Sequence, residues 1–158
     1  MKRTIIITFT LLVSLLLFQA CGNGDTADHN GNGEPQAEEG LTDFELEHGI
    51  GPVTERVEIG DEIDQEMVTK GRNIYEMKCE MCHNMEGRMV GPELGNVMDR
   101  RSPEFVMNFI LNPSGMVREH PVGKEMLREY MTAMPFQNVK EDEARAIVEF
   151  LRDYAENN

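Results

Sequence analysis

The sequence predicts a small all-α domain that follows a long acidic N-terminal segment. Helix start signals and apolar residues at helical spacing recur from Asp64 to the end of the chain, without a strand hairpin signal or an internal repeat. The distribution of charge divides the chain at about the same place. Residues 22–66 contain fourteen acidic residues and one basic residue, whereas residues 67–158 contain fifteen and twelve. A basic surface for nucleic acid is therefore not expected.

Four stretches carry the signals of helices, namely residues 64–79, 102–112, 123–131 and 141–155. The second begins with Ser102-Pro103-Glu104, which combines a capping residue, a proline at the first helical position and an acid. Asn112-Pro113 is predicted to end it. The last stretch places its apolar residues on one face, as in a helix that packs on a core.

The first 20 residues have the pattern of a secretory signal peptide. Lys2 and Arg3 precede an apolar run, residues 5–18, which is shorter than the roughly 20 residues that span a bilayer. Phe18-Gln19-Ala20-Cys21 resembles the bacterial lipobox, although that motif prefers leucine at the position of Phe18. Cys21 is therefore the predicted lipidation site, and the protein is expected to be exported and lipid-anchored to a bacterial membrane, facing the periplasm or at the cell surface. The alternative is an ordinary signal peptide that ends near a free cysteine.

Residues 21–60 are predicted to form an acidic flexible tether and a strap, and residues 61–158 the folded domain. Residues 22–40 contain hardly an apolar side chain, so they cannot bury enough surface to offset their ordering entropy. Residues 41–63, the strap segment, contain Ile50-Gly51-Pro52-Val53 and Val57-Glu58-Ile59. These runs fit either a strand or an extended strap that lies on the domain, and the strap is favoured.

Cys79-Glu80-Met81-Cys82-His83 is the C-x-x-C-H motif by which c-type haem is attached. Two cysteines three residues apart on a helical turn can add to the two vinyl groups of a porphyrin, and the following histidine can ligate the iron. Haem would also supply apolar burial that a domain of this size lacks. Three alternatives to haem are less favoured. A thioredoxin-like redox pair would need a βαβ setting, a zinc site would need four ligands, and a disulfide would close a strained short loop.

Residues 65–155 resemble a class I cytochrome c of the bacterial monohaem, lipoprotein type. The resemblance implies N- and C-terminal helices that cross around one covalently bound haem c, with its iron on His83. In that family the two helices meet through a glycine and an aromatic residue. The matching positions here are Gly71 and Tyr75 on the first helix and Ile147, Phe150 and Leu151 on the last.

The same resemblance implies two further site residues. Gly91-Pro92-Glu93-Leu94 matches a family motif whose proline carbonyl accepts a hydrogen bond from the ligating histidine, so Pro92 is the predicted partner of His83; the alternative is an ordinary turn. Met134-Pro135 stands where the family places its second iron ligand. Met134 is therefore the predicted axial ligand, ahead of Met131. The remaining alternatives are Met126, Met116, His120 and an open position.

The predicted function is one-electron transfer, since His/Met-ligated iron changes oxidation state with little ligand movement. No acid/base pair or second metal is evident beside the motif, so an enzyme is not expected. The alternatives are a five-coordinate haem sensor or enzyme, and a fixed haem subunit of a larger reductase or oxidase complex. Residues 49–52, 112–116 and 120–121, together with Tyr130, also resemble cytochromes found beside bacterial nitrous-oxide reductases, which makes such a system a candidate redox partner.

Overall fold

The computed structural model describes residues 40–158, and every regular element in that range is an α-helix. The helices are α1 (Asp43–His48), α2 (Gln65–Lys78), α3 (Val97–Arg100), α4 (Pro103–Leu111), α5 (Pro113–Glu119), α6 (Pro121–Tyr130) and α7 (Glu141–Asn157). The all-α prediction is confirmed. The predicted signal peptide, Cys21 and the first part of the tether lie outside the described residues.

Helix α2 begins and ends close to the predicted residues because its caps are local. The Asp64 side chain accepts hydrogen bonds from the backbone N–H groups of Glu66 and Met67, which have no partner within the helix. Helix α4 begins as expected, since Ser102 Oγ accepts from Phe105 N and Pro103 occupies the first turn.

Three helices were not predicted. In α1, Thr42 and Glu45 form a reciprocal capping box, a T-x-x-E signal that is visible in the sequence. In α5, Asn112 both ends α4 and begins the next helix, because its side chain accepts from Gly115 N. The prediction used Asn112-Pro113 only as a stop signal. Helix α3 has four residues, which is too short for a periodic pattern.

The core is centred on the crossing of α2 with α7. A Cβ at Gly71 would lie 2.0 Å from the carbonyl oxygen of Ala146 and 3.0 Å from Ile147 N, so only glycine permits this approach. Four residues along the chain, the Tyr75 ring packs on Phe150 with centroids 5.4 Å apart. Both helix faces are apolar where they meet, and Ile147 and Leu151 are almost fully buried.

The strap segment packs on α4 through one buried asparagine. Asn108 Nδ2 donates to the carbonyls of His48, Gly49 and Val53 at 3.0, 3.2 and 2.9 Å, and its Oδ1 accepts from Val53 N at 3.0 Å. The segment contains α1, but residues 49–63 form neither helix nor strand. Their backbone groups therefore find side-chain partners in the domain in place of a sheet ladder.

Two buried glutamates attach the strap segment and the start of α2 to the helices. Glu104 is 1% exposed, and its Oε1 accepts from Val57 N at 2.8 Å. Burial acts to raise the pKa of Glu104, but hydrogen bonding and the charge of Arg56 hold it below its ordinary value. Glu149 likewise accepts from Asp64 N at 3.0 Å and from Arg145 and Arg152, and its pKa is also lowered against the effect of burial.

Candidate functional site

A cavity of about 340 Å³ lies within the helical domain beside the C-x-x-C-H motif. Cys79, Cys82 and His83 line it together with Met134. Most of the remaining lining is apolar, including Phe105, Phe109 and Ile110 of α4 and Ile147 and Leu151 of α7. The fold thus brings the predicted haem-binding residues around one apolar space, although Met134 lies 51 residues after His83 in the sequence.

The end of α2 shapes the C-x-x-C-H turn. The helix ends at Lys78, and the Cys79 carbonyl then accepts from the backbone N–H groups of Cys82 and His83 at 3.0 and 2.9 Å. The two cysteines are not joined by a disulfide. Burial, with a smaller contribution from Cys82, raises the pKa of the Cys79 thiol to about 11 against the opposing charge of Lys78. A thiol of that pKa is unlike the reactive, low-pKa thiol of a dithiol oxidoreductase.

Two contacts hold the His83 ring, and a third holds its backbone carbonyl. Its Nδ1 lies 2.9 Å from the Pro92 carbonyl oxygen, which can only accept, so Nδ1 is the donor and Nε2 is the ring nitrogen available to bind a metal. A Cβ at Gly91 would lie 2.5 Å from His83 Cε1, so the glycine backbone packs directly on the imidazole. The Tyr75 hydroxyl donates to the His83 carbonyl at 2.7 Å. The roles of Gly91 and Tyr75 in holding His83 were not predicted.

The methionines and the histidine considered as second ligands fall into different environments. Met134 and Met126 line the cavity. Met131 is 83% exposed and is not part of the lining. Met116 is fully buried and its sulfur accepts from Ile50 N at 3.1 Å, while the ring of His120 contacts the Leu46 carbonyl. Of these candidate ligands, Met134 and Met126 are therefore the two whose side chains line the cavity.

Two arginines interrupt the apolar lining. Arg100 is the last residue of the short helix α3, Arg101 follows it, and both line the cavity. The guanidinium of Arg101 stacks over Phe105 at 4.8 Å, and Arg100 Nη2 donates to Asn96 Oδ1 at 2.7 Å. Haem carries two carboxylates on an otherwise apolar ring. The thiols, the imidazole, the apolar walls and the two cations fit that group, and Glu93, Glu125 and Glu129 also line the cavity.

These features define a small helical haem protein. The cytochrome c family model matches residues 68–155. Cytochrome c from Rhodothermus marinus is 41% identical, with a TM-score of 0.69 over 73% of this chain and 98% of that chain. An engineered cytochrome c from Rhodothermus marinus, Rma TDE, is 40% identical, with a TM-score of 0.68 over 72% and 98%. The same engineered protein bound to a carbene intermediate gives 40% and 0.66 over the same shares. No match was found among curated proteins.

The chain belongs to the cytochrome c family, and the predicted class I monohaem fold is confirmed. The cofactor of the family is c-type haem, an iron porphyrin that is attached covalently. The function of the family is haem-based electron transfer. In this chain Cys79 and Cys82 would hold the porphyrin and His83 would ligate the iron. The haem supplies the redox centre, while the protein orients the ring and excludes water from it.

Proposed function

We propose that this protein is a membrane-tethered one-electron carrier whose haem iron is ligated by His83 and Met134. The observation that carries the proposal is that both side chains line one largely apolar cavity, in which Nδ1 of His83 is held by Pro92. Two protein ligands leave no open position on the iron, and a thioether favours the ferrous state. Such a site suits electron transfer better than the binding of a small ligand.

The first test is the coordination of iron in the wild-type holoprotein. We expect the oxidised protein to show a near-infrared sulfur-to-iron charge-transfer band, and the reduced protein to be low-spin and to react slowly or not at all with carbon monoxide at neutral pH. Rapid carbon monoxide binding by the wild type would overturn the carrier proposal. It would favour the second candidate function, in which the haem iron binds small ligands. The observation behind that candidate is the engineered relative, whose structure contains a bound carbene intermediate.

The proposal of a membrane tether is based on the sequence alone. Members of the family are typically exported, and the acidic residues between Cys21 and the folded domain would extend such a tether by mutual repulsion. None of the helices in residues 40–158 combines the length and the hydrophobicity that a membrane-spanning helix needs. A lipidated Cys21 would hold the haem domain near the bilayer and leave it free to reach its redox partners.

Replacing Cys21 by serine is expected to release the haem protein from membranes, because serine cannot receive the thioether-linked lipid. The measurement is the distribution of haem absorbance between pellet and supernatant after high-speed centrifugation. Wild-type protein should sediment and be released by detergent. Detergent-sensitive sedimentation of the variant would contradict lipidation at Cys21.

A nitrous-oxide reductase system stays a candidate partner on the strength of the sequence resemblance. Much of the pattern behind that resemblance also has a structural role. Asn112 caps α5 and its Nδ2 donates to the Ile50 carbonyl at 3.1 Å, and His120 Nδ1 accepts from Val122 N at the start of α6. These residues connect the strap segment with α5 and α6, so the fold itself gives a reason for their presence. The redox partner must therefore be identified by measuring electron exchange.

A further inference from the structure

Four methionines line a hollow next to the C-x-x-C-H turn, in addition to the cavity described above. Met77, Met81, Met85 and Met89 recur at every fourth position, from the last turn of α2 into the following loop. All four line one hollow of about 520 Å³. The other lining residues are Tyr75, Glu76, Glu80, His83 and Asn84.

These methionines are not explained by packing. Met77, Met81 and Met89 are 71%, 81% and 45% exposed, and only Met85 packs against the core. Leucine, isoleucine, valine and phenylalanine are absent from residues 76–89, although they supply most of the core elsewhere in the domain. The property that sets these positions apart is therefore the thioether sulfur and not hydrophobicity in general.

Thioethers are soft, uncharged ligands that select copper(I) over harder divalent cations. Nitrogen and oxygen ligands do not offer an alternative metal site here, since within residues 40–158 no three His, Cys, Asp or Glu residues are placed to hold a metal ion together. Glu76 and Glu80 line the hollow and provide negative charge near a bound cation. We propose that this methionine hollow binds copper(I) through the sulfurs of Met77, Met81 and Met89, with Met85 at its base.

The competing interpretation is an apolar docking surface for a protein. Methionine is also used at adaptable protein-binding surfaces. Two glutamates among nine lining residues make this hollow a poor match for an apolar partner, because their charges would have to be desolvated or paired on docking. Leucine separates the two cases, since it retains the size and hydrophobicity of methionine but has no sulfur.

The test uses the reduced holoprotein, in which the haem-attachment cysteines are no longer free thiols. Anaerobic equilibrium dialysis against copper(I) buffered by a competing chelator, with copper quantified by atomic absorption, should give one copper ion per haem. In protein labelled with 13C at the methionine methyl groups, the signals of Met77, Met81 and Met89 should shift on addition of copper(I), and that of Met131 should not.

The variant M77L/M81L/M89L lacks all three proposed ligands and should bind copper(I) more than about 100-fold more weakly, since loss of a residue that only supports a metal ligand already costs about 10- to 100-fold. M131L is the matched control, because Met131 is as exposed but lies outside the hollow. An unchanged haem spectrum and melting curve would show that the triple variant is folded. Absence of stoichiometric copper in the wild type, or equal binding by the triple variant, would overturn the proposal. Dependence of a redox partner on these residues without copper binding would make the hollow a docking surface.

Discussion

Replacing Met134 by alanine is expected to open the sixth position of the haem iron and give a high-spin protein that binds carbon monoxide readily. Met134 lines the cavity, and a methyl side chain cannot reach where its sulfur does. Loss of a ligand that favours ferrous iron should also lower the reduction potential. A decrease of at least about 59 mV is expected, which corresponds to a tenfold loss of preference for the reduced state.

Met131→Ala and Met126→Ala are the matched controls for that experiment. Met131 is largely exposed and should change neither the spin state nor the potential. Met126 lines the same cavity, so its variant tests whether the ligand comes from α6 instead. Optical spectra, carbon monoxide titration and a redox titration provide the three measurements. A low-spin, carbon monoxide-resistant Met134→Ala protein would show that Met134 is not the ligand.

Substitution of Gly71 should have the largest effect on stability. In an exposed helix, glycine to alanine stabilises by about 1 kcal/mol, because alanine has the higher helix propensity. At Gly71 the sign should reverse, since the new Cβ would lie 2.0 Å from the backbone oxygen of Ala146 and backbone cannot move aside as a flexible side chain does. We expect Gly71→Ala to destabilise the holoprotein by about 1–3 kcal/mol, and Gly71→Val by more.

Gly60→Ala is the control for that pair. A Cβ at Gly60 would meet only the Glu62 carbonyl oxygen at 3.6 Å, an ordinary contact, so its effect should stay within about 0.5 kcal/mol. Denaturant unfolding followed by haem absorbance and by circular dichroism gives the free energies of unfolding. A Gly71→Ala protein as stable as the wild type would mean that α2 and α7 do not meet backbone to backbone in solution.

The cavity suggests why a chain of this length folds around a cofactor. About 340 Å³ of apolar-lined space is far larger than the voids that a close-packed interior tolerates. Haem in that space would tie α2, which carries the attachment turn, to the apolar walls of α4 and α7. The cofactor would then be both the redox centre and a large part of the hydrophobic core.

Features that depend on neighbours along the chain were predictable from the amino-acid sequence. The C-x-x-C-H motif identified the cofactor, because the attachment chemistry needs two thiols and an imidazole at fixed spacing. The start of α2 after Asp64 and of α4 after Ser102 followed from capping side chains that act within three residues. The capping box at Thr42 and the dual role of Asn112 were equally local signals, and α1 and α5 were missed because those signals were not used.

Features that depend on contacts between distant segments were not predictable in this way, because they arise from the packing of the folded chain. Residues 49–63 have no secondary structure of their own, and their path follows from buried side chains such as Asn108 and Glu104, which lie about 50 residues later. Among twelve methionines, composition alone could not separate the two that line the cavity from the exposed Met131 and the buried Met116. Side chains of one chemical type were distributed by the packing of the helices, and periodicity along the chain does not carry that information.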